Sequence, residues 1–467
     1  MTADSPSGHG VLAKFGALLL SRWLKEGLQA LFLIVLARVS APRFGEFVLA
    51  LELGAVVLLA AEFGFNVALV PHLNKDPEEA QAALSRISCL KALLLGLVWL
   101  GLGGFVRWQG YPAELQRVVL LIAGGVGLEA LASTFFTFLQ VQGRQAAEGR
   151  LRGLAAILGL GYAFLTLAAG APSVVVALFK IWENLANLAG VLVLLRRSRP
   201  FSWRGLQFQG LWATFCQGLH FGLLAVLSAL LSRVNLLFLQ AYGGSALVAQ
   251  YGAAWPLVDG LHAIISGLLL QSVLYPLFVR LTTEDPAELS RLAWHTARWL
   301  LGLSLLIALA LAMERDRLIP LVFGPQYPEA VGVLGILVFS VPFVFLQSLA
   351  GFALLSLRQE RLLVAFFAGG LLFNLAFSSL TVPRWPLAGA AWAMVFSRGL
   401  VAGAALAALH RRLPVLGWRP VGWLLVATGL GWGLYLVLTP LLPREVAEIG
   451  GLAPLAAALW WWRLPGR

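Results

Sequence analysis

The feature that most constrains this chain is a succession of long apolar stretches, separated by breaks too short to hold a soluble domain. The stretches lie near 15–37, 44–70, 87–107, 115–139, 153–170, 174–195, 211–238, 247–279, 293–312, 331–356, 362–382, 388–409, 421–438 and 447–462. A helix rises about 1.5 Å per residue, so about 20 apolar residues cross the hydrocarbon core of a bilayer. The pattern predicts an all-α polytopic membrane protein with about fourteen transmembrane helices. Weak breaks at Ala171-Pro172-Ser173 and near Pro440 set the range at roughly 12 to 14. With 60% hydrophobic and 12% charged residues, the chain has too little polar surface to cover a soluble globule. Cys89 and Cys216 are the only cysteines, and both fall inside apolar stretches, so no disulfide framework is expected. His9, His72, His220, His262, His295 and His410 show no ligand spacing, and no metal site is expected. The first apolar stretch is long and carries charges, which argues against a cleavable signal.

The net charge of +12 takes its meaning from where the cations fall. If the N-terminus is cytoplasmic, the even-numbered breaks hold Lys75, Arg86, Arg144, Arg150, Arg152, Arg196, Arg197, Arg199, Arg204, Arg280, Arg291, Arg298, Arg358, Arg361, Arg411, Arg412 and Arg419. Lys14 and the tail residues Arg463 and Arg467 add to them, for about 20 cations on one side. The odd-numbered breaks hold Arg38, Arg43, Arg107, Arg315, Arg317, Arg384 and Arg444, or about 7. Both termini are therefore expected in the cytoplasm, with the basic residues facing anionic lipid headgroups. Nothing is left over to call for nucleic acid as a partner.

The longest breaks, 71–86, 196–210, 280–292 and 313–330, are each shorter than about twenty residues, so function must lie between helices. An internal echo links the "LARVSAPRFGEFVLALEL" turn at 36–53 to "LQAYGGSALVAQYGAAWPL" at 239–257, each placing an aromatic, Phe47 or Tyr251, at the start of the next helix. The echo recurs after six helices, an even number, and so predicts two parallel six-helix bundles around a central cavity. The expected division is 1–200, 201–412, and a pair of additional helices over 413–467.

Charges inside hydrocarbon are costly and mark candidate functional sites. Lys91 and Arg117 lie near the starts of their stretches, where a long side chain can snorkel to the interface. Arg22 and Lys25 lie deeper, about 10 and 15 Å from Phe15. With Glu26 and Gln29 they stand at i, i+3, i+4 and i+7 and form one polar stripe. That stripe reads either as an Arg22–Glu26 pair buried against a neighbour or as a cationic wall that receives an anion. Arg398, near the middle of the twelfth stretch, can contribute to such a wall or pair with an acid, and Arg233 can contribute or snorkel outward. Other stripes are Lys180, Glu183, Asn184 and Asn187; Asp259, His262 and Ser266; Glu129, Ser133, Thr137 and Gln140; and Glu52, Glu62 and Asn66. Their hydroxyls and amides are suited to interhelical hydrogen bonding. The carboxylates Glu62, Glu129, Glu183 and Asp259 are candidates to take up H⁺ or Na⁺; Glu183 can instead pair with Lys180, and His262 can join a relay with Asp259 or simply pack.

Four segments carry a family resemblance. "RVSAPRFGEFVLALELGAVVLLAAEFGFNVALV" (38–70) resembles the opening hairpin of bacterial polysaccharide flippases of the multidrug/oligosaccharidyl-lipid/polysaccharide exporter superfamily. There, a Gly-Pro turn precedes an aromatic-Gly-x-aromatic element, here Ala41-Pro42 and Phe44-Gly45-Glu46-Phe47. "SRVNLLFLQAYGGSALVAQYGAAWPL" (232–257), "LVFGPQYPEAVGVLGIL" (321–337) and "NLAFSSLTVPRWPLAGAAWAMVFSRG" (374–399) are similar to later segments of that family in the same order, and the resemblance covers roughly 10–412. The chain departs from the pattern at Ala41, in place of the turn glycine, and at Asn235, where an Asp after an Arg is common. The resemblance implies export of an undecaprenyl-diphosphate-linked glycan for polysaccharide or lipopolysaccharide assembly, with cavity cations meeting the diphosphate.

Arg22, Lys25, Gln29, Arg233 and Arg398 are the expected substrate-binding residues; Glu26, Glu62, Glu129, Lys180, Glu183, Asp259 and His262 are expected to serve the coupling ion or the polar cavity. No cofactor is expected, and without a Walker sequence the candidate energy source is an Na⁺ or H⁺ gradient. Pro256, Pro276 and Pro342 are candidate kinks for alternating access. The expected partners are membrane lipids and polysaccharide assembly enzymes besides the glycan. Two other readings remain: a multidrug exporter of the same superfamily, which should favour an acidic or aromatic cavity, and an integral-membrane glycosyltransferase or ligase, which should need acids on a sizeable loop. Glu314, Asp316 and Glu329 are the acids of the longest outer break.

Overall fold

The computed structural model describes residues 8–66, 69, 73, 77–196, 209–413 and 417–461, and the secondary structure among them is helical. Long apolar segments leave the backbone no water to bond, so each segment satisfies its own amides as a helix. The chain runs through α1 (Gly8–Val39), α2 (Ala41–Glu62), α3 (Pro77–Trp108), α4 (Ala113–Val141), α5 (Gln145–Ala168) and, after a turn at Ser173–Ala177, α6 (Phe179–Arg196). It continues through α7 (Gln209–Ile265), a π-helical stretch at Ser266–Leu274, and α8 (Tyr275–Glu284). There follow α9 (Pro286–Phe323), α10 (Pro328–Leu337), α11 (Val341–Ser356), α12 (Glu360–Thr381), α13 (Pro386–His410), α14 (Trp418–Leu438) and α15 (Arg444–Trp461).

Eleven helical runs among the described residues are long and apolar enough to cross a membrane. One, Gly218–Glu284, has 67 residues and would be about 100 Å long if straight, far more than one crossing. Gly244 divides it, at φ 63° and ψ −163°, a conformation glycine adopts without steric cost. The helices α1 and α15 stand outside that group of eleven and are also of membrane length, which brings the described crossings to about fourteen. Helix starts follow local chemistry. Pro328 and Pro386 occupy first-turn positions, where no amide hydrogen is needed, and Asp285 caps α9 by accepting from the amides of Ala287 and Glu288.

The chain divides into two compact units, Met1–Arg233 and Val234–Arg467. The boundary falls within α7, later than the sequence division at 200. In the first unit α2 packs on α4, α1 on α5, and α6 on both α4 and α5. Phe32 lies 5.9 Å from Phe47 and 5.3 Å from Phe179, ring centre to ring centre, at the heart of this packing. Two glycines let the helices approach closely: a Cβ on Gly125 would stand 2.6 Å from the Lys180 carbonyl carbon, and one on Gly159 would stand 2.6 Å from Glu183 Cβ. In the second unit α13 packs on α11 and α12, and α9 packs on α11. The last two helices belong to this unit: α14 and α15 pair with each other and bury Leu424, Ala427 and Leu455 with Leu301 and Leu305 of α9.

Candidate functional site

Each unit holds an ionic cluster inside its helices. In the first, α1 brings Lys25 to Glu129 of α4 at 2.6 Å and to Glu183 of α6 at 3.5 Å. Arg152 of α5 lies 3.6 Å from Glu129 and 2.9 Å from Glu148, and its guanidinium sits 4.2 Å from the centre of the Phe136 ring. Lys180 of α6 donates to Gln29 Oε1 at 2.7 Å and to Glu183 Oε2 at 2.9 Å. Three cations thus meet three carboxylates across four helices. This balance answers a physical need, because a lone charge at the bilayer centre costs about 3 kcal/mol or more. Exposure is graded: Glu183 and Lys180 are buried, whereas the side chains of Lys25, Glu129 and Arg152 keep 14%, 17% and 22% of their surface.

The expected residues distribute as follows. Lys25, Gln29, Glu129, Lys180 and Glu183 come together in this cluster, whereas Glu26, although three residues before Gln29 on the sequence stripe, is exposed. The Arg22 side chain lies outside the described residues, as do Lys75, Arg197, Arg199, Arg204, Arg463 and Arg467 among the orientation cations. Glu62 Oε1 accepts from Asn66 at 3.4 Å, and Arg233 pairs with Glu52 at 2.6 Å.

In the second unit Arg398 of α13 is buried and pairs with the half-exposed Asp259 at 2.7 Å. Its guanidinium carbon lies 4.5 Å from the centre of the Trp255 ring, while its Nη1 is buried without a hydrogen-bond partner. His262 Nε2 lies 2.8 Å from Ser348 Oγ and its ring stands edge-on to Phe345. Beside this pair runs a neutral chain of bonds. Asn235 Nδ2 donates to the Ala390 carbonyl at 2.9 Å, Ser378 donates to Asn235 Oδ1 and Asn374 Oδ1 at 3.1 Å each, and Asn374 Nδ2 donates to Ser397 at 3.0 Å. Amides and hydroxyls here hold α7, α12 and α13 together without a carboxylate.

Three members were not read from the sequence. Lys91, expected to snorkel, is instead buried, because α3 begins at Pro77 and places it some fourteen residues into the helix. It donates to Asn66 Oδ1 at 2.7 Å, to the Ala130 carbonyl at 3.0 Å and to Ser133 Oγ at 3.1 Å. Glu148 and Arg152 fall in a break by hydropathy, yet α5 starts at Gln145 and carries both inward. Their i, i+4 spacing was the available signal.

Long apolar helices in this order, with charged clusters among them, define a multi-pass membrane protein. A family model described as polysaccharide biosynthesis protein matches residues 35–332, and the chain belongs to that family. No curated protein matches the sequence. Among solved structures, the fold is similar to the lipid II flippase MurJ in an inward closed conformation, with 12% identity, coverage of 96% of this chain and 98% of that one, and a TM-score of 0.74. It is similar also to an inward-facing multidrug resistance MATE family transporter of the MOP superfamily, with 14% identity, 83% and 94% coverage, and a TM-score of 0.67. A MOP superfamily transporter from Pyrococcus furiosus, described as having a binding pocket of reverse polarity, shares 15% identity over 85% and 95% of the chains with a TM-score of 0.55.

Proposed function

We propose that the protein is a flippase that carries an undecaprenyl-diphosphate-linked oligosaccharide from the cytoplasmic to the outer leaflet of a bacterial cytoplasmic membrane by alternating access. Membership of the polysaccharide biosynthesis family supports a glycan cargo for surface polysaccharide assembly. The charge placement along the sequence supports cytoplasmic termini, and an Na⁺ or H⁺ gradient is the proposed energy source.

The observation that carries the reading is the surplus of partners around Lys25. Glu129 lies within 4 Å of both Lys25 and Arg152, and Glu183 within 4 Å of both Lys180 and Lys25. Lys25 can therefore turn to an incoming diphosphate while each carboxylate keeps a cation. The anion brings two negative charges where Glu129 offers one, and the exchange leaves no buried carboxylate unpaired. In the second unit, Arg398 offers a free Nη1 beside an Asp259 that solvent can reach, which supports the same exchange there. An exporter of organic cations needs an available carboxylate, and Glu129 and Glu183 are each held by two cations.

Binding of undecaprenyl diphosphate to the purified protein in micelles tests the proposal. Wild type should bind it, Lys25→Met should bind at least about tenfold more weakly, and added salt should weaken the wild type. Binding of an organic cation such as ethidium, with none of the lipid diphosphate, would overturn it.

A further inference from the structure

We infer that the ammonium of Lys91 occupies what is otherwise an alkali-cation site, so that the first unit carries its own cation attached to the chain. Lys91 stands near the middle of a crossing that runs from Glu79 to Trp108, and it is fully buried. Among the described residues no ion pair to Lys91 is found; Glu62, whose charge acts on it from farther off, accepts from Asn66 Nδ2 at 3.4 Å. The charge is solvated instead by three neutral oxygens of three kinds, an amide, a backbone carbonyl and a hydroxyl, at 2.7, 3.0 and 3.1 Å. Three acceptors satisfy the three protons of an ammonium in full.

The same donor set suits a metal cation. Alkali ions are held in proteins by carbonyl and hydroxyl oxygens that replace their hydration shell, and ammonium and K⁺ are close in size. The oxygens are also fixed before the cation is considered. Ser133 donates to the Ala130 carbonyl at 2.8 Å, and Asn66 Nδ2 donates to Ser133 Oγ at 3.1 Å, so the cage stands on α4 and the chain just beyond α2. Truncating Lys91 leaves three buried oxygens facing the volume of its side chain, with the charge of Glu62 behind Asn66. In the intact protein the attached ammonium excludes free ions from this place. Ion coupling, where it occurs, then runs through other groups.

The test is thermal unfolding of the full chain in micelles, in chloride salts of K⁺, Na⁺ and N-methyl-glucamine at one ionic strength. Wild type should give the same midpoint in K⁺ as in N-methyl-glucamine, and its midpoint in Na⁺ is the reference against which the variants are read in that salt. Lys91→Ala should unfold at a lower temperature in N-methyl-glucamine and regain about 2 °C or more, saturably, in K⁺ or Na⁺. The double variant Lys91→Ala/Asn66→Asp, which adds a carboxylate to the cage, should saturate at lower salt. A purely structural lysine predicts a loss that no alkali ion repairs. Absence of an ion-specific, saturable shift in both variants, or failure of both to fold in every salt, overturns the inference.

Discussion

The two lysines of the first cluster should differ sharply when each is replaced by methionine. Lys180→Met removes the 2.9 Å partner of Glu183 and the donor to Gln29, leaving a fully buried carboxylate with Lys25 at 3.5 Å. Breaking a buried pair in this way costs about 3–5 kcal/mol. Lys25→Met also removes Coulomb attraction, about 4 kcal/mol for a pair some 4 Å apart at an effective dielectric of about 20. Yet Glu129 keeps Arg152 at 3.6 Å and Glu183 keeps Lys180 at 2.9 Å, and the removed ammonium no longer has to be desolvated. The net loss should then be about 1 kcal/mol. Thermal unfolding in micelles, followed through the fluorescence of the 17 tryptophans, separates the two cases by several degrees. Binding of the lipid diphosphate should fall in Lys25→Met although its fold is retained. A loss of about 3 kcal/mol or more in Lys25→Met, as large as that in Lys180→Met, would refute the idea that Glu129 and Glu183 are held by other cations when Lys25 is gone.

Three further substitutions probe the packing on which the clusters depend. Gly159→Ala sets a Cβ 2.6 Å from Glu183 Cβ and 3.0 Å from the Phe179 carbonyl oxygen, and should lower stability by about 1–3 kcal/mol; an unchanged unfolding midpoint would show that α5 and α6 are not so close. Asn235→Ala removes the donor to the Ala390 carbonyl and the acceptor of Ser378, and should cost about 1–3 kcal/mol in the same assay. Arg444→Ala removes a bond to Asp316 at 2.6 Å, which ties the start of α15 to α9, and a bond to Glu448 at 2.9 Å within α15. Because Asp316 is exposed, the loss should be about 1 kcal/mol at low salt and should shrink as salt is raised.

Much of the fold was legible because hydrocarbon allows so few solutions. Long apolar stretches must be helices, and even the short Ala171-Pro172-Ser173 break marks a real turn between α5 and α6. The clusters were legible in composition and not in pairing. The stripe of Arg22, Lys25, Glu26 and Gln29 identified α1 as polar, yet Gln29 finds Lys180, 151 residues away, and Lys25 finds Glu129, 104 residues away. Such partners are set by which helices pack, and glycines such as Gly125 and Gly159 decide how closely. Lys91 and Arg152 were misplaced for another reason: hydropathy finds where hydrocarbon-like sequence begins, whereas α3 and α5 begin earlier, in more polar sequence. The helix, and with it the inward direction of a side chain, extends beyond the apolar window.

The central claim is that a cation of the first cluster exchanges a carboxylate for a lipid-linked diphosphate. Its most direct test is translocation of a fluorescent undecaprenyl-diphosphate sugar in proteoliposomes, comparing wild type with Lys25→Met at matched insertion. The account predicts that wild type moves the lipid and that Lys25→Met, although folded, does not. Transport by Lys25→Met at the wild-type rate, or a wild type that moves organic cations and leaves the lipid-linked sugar in place, would contradict it.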